Sequence, residues 1–124
     1  MLGDNDAIAT IPVRDIDVAR EFYQNTLGHM AGPSSEEGVL SCKSGSTSVL
    51  VYESEYAGTN EATAATWAVD DVDGTVRTLK EKGVSFEHYD LPDTTRRGDV
   101  HVSGEMKAAW FKDPDGNILA VVSR

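Results

Sequence analysis

Val13-Arg14-Asp15-Ile16-Asp17 and Val69-Asp70-Asp71-Val72-Asp73 are two copies of one stretch. Each follows a short apolar run and precedes a helical pattern that ends in glycine. Two copies of a strand–helix unit must stack to bury faces that neither covers alone, so the repeat decides the architecture and places function where the copies meet. In the first copy, Ala7 to Val13 has strand character. Asp15 suits a helix N-cap, because its carboxylate can accept from the free amides of the first turn. Asp17 lies in that turn, where the helix dipole favours an acid. Ile16, Ala19, Tyr23 and Leu27, with Phe22 beside them, share one face at helical spacing, and Gly28 stops the run after about three turns. In the second copy Asp71 is the cap, Val72, Val76 and Leu79 the buried stripe, and Gly83 the stop.

Strand patterns follow each helix. Val39 to Lys43 and Thr47 to Glu53 flank Ser44-Gly45-Ser46, a short hairpin loop. Val84 to Asp90, Ala108 to Lys112 and Ile118 to Ser123 follow the second helix. The last two are joined by Asp113-Pro114-Asp115-Gly116-Asn117, where proline presets a turn and glycine accepts positive φ. Each half therefore reads as strand, helix and meander, an α+β class. We expect residues 1–124 to form one domain: a first module over about 7–54, a connector over 55–63, rich in Gly, Thr, Asn and Glu, and a second module over about 64–124. Leu91 to Glu105 fits no regular element. A polar stretch of that length is either a functional flap or a variable surface loop, and it holds Arg96, Arg97, Asp99 and His101.

Composition narrows the function. The 21 acidic and 11 basic side chains give a formal charge of −10, which repels phosphate backbones and anionic lipid and argues against nucleic-acid or membrane partners. Such acidity reads first as solubility, ahead of a surface tuned to attract a cationic ligand. The N-terminus lacks a signal-peptide pattern and no run of about 20 apolar residues exists. The one cysteine, Cys42, reads as a small core residue rather than a nucleophile. A soluble, cytoplasmic protein in a reducing compartment is expected.

The Val-x-Asp-Ile-Asp junction, the following Ala19-Arg20-Glu21-Phe22-Tyr23 and Leu27-Gly28, and the late Trp110-Phe111-Lys112-Asp113-Pro114-Asp115-Gly116-Asn117 hairpin together resemble the vicinal oxygen chelate superfamily. That is the glyoxalase, bleomycin-resistance and extradiol-dioxygenase group. The resemblance covers nearly the whole chain. It implies two βαβββ modules, each rolling a sheet into a half-open barrel around a concave pocket, often paired as a homodimer. In metal-dependent members, histidine or glutamate ligands project from the first strand of each module and from the last strand. Seven residues before Asp15 that position is Ile8, the same count from Asp71 gives Ala64, and four residues past Gly116 stands Ala120. None of these can donate an electron pair to a divalent ion, so neither a metal nor another cofactor is expected, and an organic-binding cavity fits better.

If Ile8, Ala64 and Ala120 face the concave side, strand alternation sends Thr10, Thr66, Ile118 and Val122 there, while Ile11, Trp67, Val69, Leu119 and Val121 pack under the helices. The family pattern points Trp110 into the cavity, with Tyr52 as a second wall; filling core volume is the alternative for both. His29, just past Gly28, reads as a helix-end histidine whose cationic form suits the dipole. The leading expectation is a metal-independent small-molecule binding protein of the bleomycin-resistance type, a homodimer that sequesters or carries an organic ligand. The alternative is a lyase, isomerase or dioxygenase of the same superfamily. A metal-free catalyst would draw its acid or base from His88, His101, Asp99 and Glu105. A regulatory or purely structural module is a third reading.

Overall fold

The structure, a computed structural model, describes residues 1–32 and 37–124; residues 33–36 of the predicted first module lie outside them. The first sheet has the order β1-β4-β3-β2, built from β1 (Ala9–Val13), β2 (Met30–Ala31), β3 (Val39–Ser44) and β4 (Thr47–Glu53). Between β1 and β2 runs α1 (Ile16–Arg20), which continues in π-helical winding over Glu21–Thr26. The second sheet contains β5 (Thr63–Val69), β6 (Phe86–Glu87), β7 (Thr95–Arg97), β8 (Val100–Ser103), β9 (Met106–Lys112) and β10 (Ile118–Ser123). Its order is β5-β10-β9-β8-β7, with β6 also paired to β9. Helix α2 (Val72–Glu81) connects β5 to β6.

The repeated junction folds as its chemistry dictates. Asp15 accepts hydrogen bonds from the amides of Asp17 and Val18 at 2.9 and 3.3 Å, and Asp71 accepts one from Gly74 at 2.9 Å. Val72, Val76 and Leu79 are the buried residues of α2, and Gly28 and Gly83 carry the positive φ that ends each helix. Both sheets and both helices feed one apolar cluster, from Ile11, Tyr23 and Val51 to Leu79, Phe111 and Leu119.

A polar clamp joins the two sheets. Asp113, 4% exposed, accepts from the Tyr23 hydroxyl at 2.8 Å, from the Asn117 amide nitrogen at 2.8 Å and from the Asn117 backbone at 2.8 Å. Asn117 also donates to the Pro12 carbonyl at 2.7 Å and accepts from the Gly58 amide at 3.3 Å. Burial and the adjacent Asp113 charge push the Tyr23 phenol far up, so it remains a donor. The segment after β4 is thus a docked piece rather than a loose link: Ala57 is fully buried, and a Cβ on Gly58 would collide with the Asp115 carbonyl.

Three sequence expectations change. The strand expected over Val84 to Asp90 shortens to the two residues of β6. Leu91 to Glu105, expected to hold no regular element, carries the β7–β8 hairpin, which turns at Gly98 and buries Val100 and His101. The second βαβββ copy therefore has an additional hairpin that extends the edge begun by β6. Ile8 lies outside β1, exposed.

Candidate functional site

Cross-strand partners in a sheet project to the same face, so the register defines a surface. In the second sheet one row runs Thr66, Ala120, Trp110, Glu87 across β5, β10, β9 and β6. The next runs Ala68, Val122, Ala108, His101, Arg96 across β5, β10, β9, β8 and β7. The opposite face carries Leu119, Val121, Ala109 and Phe111 and is buried under the helices. The predicted residues Thr66, Ala120 and Trp110 thus share one face, with Ala64 at a bulge where β5 has one residue without a partner on β10. Thr10 and Tyr52 lie on the corresponding face of the first sheet, where Thr10 pairs with Leu50, and Pro12 and Val39 both pair with Tyr52. That face is separate from the Trp110 row, although β1 and β5 lie against each other.

The face of the second sheet has a low floor and one aromatic wall. Ala68, Ala108 and Ala120 rise little above the backbone, Ala68 exposed, Ala108 half-buried and Ala120 buried, and the half-buried Trp110 stands beside them with its indole N–H donated to the Thr63 hydroxyl at 3.2 Å. Trp110 packs edge to face with His101 at 4.9 Å and with Tyr89 at 5.4 Å. His101, 3% exposed, accepts the Tyr89 backbone N–H on Nε2 at 3.0 Å. That bond assigns the remaining proton of the neutral ring to Nδ1. Nδ1 is the one buried side-chain nitrogen or oxygen without a hydrogen-bond partner among the described residues. A cavity of about 340 Å³ at this end of the face is lined by His88, Tyr89, Asp90, Thr94, Arg96 and His101.

Of the four acid–base candidates, the fold joins two directly. His88 Nε2 lies 2.7 Å from Asp99 Oδ1, and Lys80 of α2 donates to Asp99 Oδ2 at 2.7 Å. The hydrogen bonds from Lys80 and His88 hold the Asp99 carboxyl below its usual range. His101 shares a cavity wall with His88, whereas Glu105 is exposed in the β8–β9 turn, outside that cavity. Sequence reasoning missed Tyr89 and Arg96 as companions of His101. The only sequence signal for Arg96 was Gly98 as a turn residue with the short Val100, Val102 alternation after it, too little to read as a hairpin.

A second cavity, of about 280 Å³, lies on the helix side between the two sheets, bounded by Leu27–His29, Lys43–Gly45, Trp67, Val69, Leu79 and Phe111 among others. Trp67 donates its indole N–H to His29 Nε2 at 3.1 Å and to the Ser44 hydroxyl at 3.0 Å, and His29 Nδ1 lies 3.0 Å from the Tyr23 carbonyl. Both ring nitrogens of a neutral, Nδ1-protonated His29 are therefore used. Burial lowers its pKa below 6.5. His29 sits at the helix end as read from sequence, but burial disfavours the cationic form that the dipole would suit, and the ring serves as a neutral bridge between Trp67 and the Tyr23 carbonyl.

The positions that the resemblance maps onto metal ligands, Ile8, Ala64 and Ala120, carry no side-chain donor. Among the described residues no three His, Cys, Asp or Glu side chains gather to hold an ion. No helix among them is long and apolar enough to cross a membrane.

Residues 6–121 match the family described as the Glyoxalase/Bleomycin resistance protein/Dioxygenase superfamily. No curated protein sequence matches the chain. Among solved structures, a bleomycin resistance determinant encoded on the transposon Tn5 superposes with a TM-score of 0.73 at 20% identity, covering 97% of this chain and 98% of that one. A lactoylglutathione lyase from Agrobacterium tumefaciens gives 0.71 at 16% identity, covering 96% and 92%. TnmS3, an antibiotic binding protein from Streptomyces sp. CB03234, gives 0.66 at 21% identity, covering 96% and 94%. At these identities the structural likeness speaks for the fold, and with the sequence match over residues 6–121 the chain belongs to the glyoxalase/bleomycin resistance protein/dioxygenase superfamily.

Proposed function

We propose that this protein is a metal-independent binder of small organic molecules, which sequesters or carries a planar or amphipathic ligand over the Ala120–Trp110 face. It acts as a homodimer within a reducing, cytoplasmic compartment, where the buried free thiol of Cys42 stays reduced. The carrying observation is the row Thr66, Ala120, Trp110. Where the family's final strand bears a metal ligand, this chain has a methyl group beside a half-buried indole. Small side chains leave room for a flat molecule, and an aromatic wall with few polar groups is how small-molecule pockets gain area and orientation. Bleomycin and a panel of planar aromatic compounds, titrated calorimetrically with and without EDTA, test the reading. Saturable binding unchanged by the chelator, and about tenfold weaker in Trp110→Ala, is the expected outcome. Binding that EDTA abolishes, or that ignores Trp110→Ala, overturns it.

The Asp99–His88 pair favours a second reading, a metal-free lyase or isomerase. Asp99 accepts the Nε2 proton of His88 and so fixes the ring, leaving Nδ1 of neutral His88 as a base. Proton exchange into a bound carbon acid, lost in His88→Gln and Asp99→Asn while the fold persists, would put this reading first.

A further inference from the structure

We propose that Arg96 and His101 form a subsite for a monocarboxylate group carried on a planar ligand, with the His101 Nδ1–H and the Arg96 guanidinium as its donors. The inference rests on the binding reading above and names the polar end of that ligand. Four observations meet here. The His101 ring is 3% exposed, its Nε2 is taken by the Tyr89 amide, and its Nδ1 has no partner. A buried N–H without an acceptor is unfavourable, and the Trp110 ring, edge to face at 4.9 Å, offers at best a weak π acceptor. Arg96 is the register partner of His101 across β7 and β8, so both side chains leave the sheet on the face that carries Trp110 and Ala120. The guanidinium spends one N–H on the Gly98 carbonyl at 2.9 Å and keeps the rest of its fork. Both residues line the cavity of about 340 Å³ at the end of the alanine floor.

The chemistry of the occupant follows. A carboxylate supplies two oxygens in one plane, one for imidazole N–H and one for guanidinium, and charge-assisted bonds of this kind are the strong ones. Asp90 lines the same cavity and adds an opposing charge. A group with a single negative charge is therefore matched, and a polyanion is repelled. The aromatic body extends from that end across Ala108 and Ala120 toward Trp110.

One isotope-labelled sample tests both levels. In the ¹⁵N-labelled full chain, the Trp110 indole N–H reports occupancy of the face and the His101 Nδ1–H reports the polar end; the probes are benzoate and its uncharged analogue benzamide. Saturable shifts of both signals by benzoate, with affinity about tenfold lower in Arg96→Gln, support the subsite. In the same variant benzamide affinity changes less than about twofold. Arg96 is exposed on an edge strand, so the variant keeps the fold. A Trp110 shift with an unmoved His101 signal and no Arg96→Gln effect overturns the subsite and leaves the face intact. No Trp110 response to either probe at millimolar concentration overturns the face reading and the subsite together.

Discussion

Burial holds the His29 imidazole below 6.5 in the folded chain, and the Trp67 indole donates to its Nε2. Between the folded and unfolded pKa values the unfolded chain binds more protons. The contribution is therefore fully present above about 6.5, falls as pH drops through that value, and levels off below the folded pKa. Thermal melts at pH 7.5 and pH 5 should show a loss of stability at the lower pH that His29→Gln largely removes; parallel pH profiles for the two proteins would contradict the assignment. Asp99 carries the same sign in a lower range. Its carboxyl is held below 3.8 by Lys80 and His88, so its share is present above that value and is lost only as pH falls through the depressed folded pKa. The two groups titrate in separate windows. At this scale sequence gave the identity of His29 as a helix-end residue, but its charge state depends on Trp67 and Ser44, which only the closed fold brings to it.

Elements whose signals are local were legible, and elements whose signals come from pairing were not. The caps at Asp15 and Asp71 and the stripe Val72, Val76, Leu79 are short-range chemistry and fold as read. Strand β7 exposes all three of its residues, Thr95, Arg96 and Arg97, so it has no hydrophobic alternation and exists because β8 pairs with it. The Asp113–Asn117 turn was legible as a turn but not as the clamp that ties it to Tyr23, Pro12 and Gly58. Tyr23→Phe leaves a buried Asp113 oxygen short of one donor and should cost about 1–3 kcal/mol in urea unfolding. Combined with Asn117→Ala, the loss should be non-additive, since both side chains serve the same carboxylate. Gly58→Ala should cost more than about 2 kcal/mol, because φ is +72° and the added Cβ meets the Asp115 carbonyl. A melting temperature unchanged in that variant would mean the connector does not dock on the turn in solution.

For the whole molecule, the repeat foretold two sheets and the shared core, while the contents of the face required the register. Thr10, Thr66 and Ala68 remain exposed on the two open faces, surface that a second copy covers in the proposed homodimer. Ala68 is the sharpest probe of that arrangement, since it is exposed within one chain and an exposed position tolerates substitution within about 0.5 kcal/mol. Ala68→Glu should leave the melting temperature of dilute protein nearly unchanged while shifting sedimentation from twice the 13.4 kDa chain mass toward the single chain. Salt supplies an independent check. Each chain carries a formal charge of −10, so two copies repel through a field that mobile ions screen over about 10 Å at 0.1 M. Raising sodium chloride from 0.02 to 0.3 M should therefore tighten self-association of the wild-type chain. A dimer that instead loosens with salt would be held by ion pairs across the interface, and a chain that stays monomeric at micromolar concentration in either buffer would leave the faces open to ligand alone.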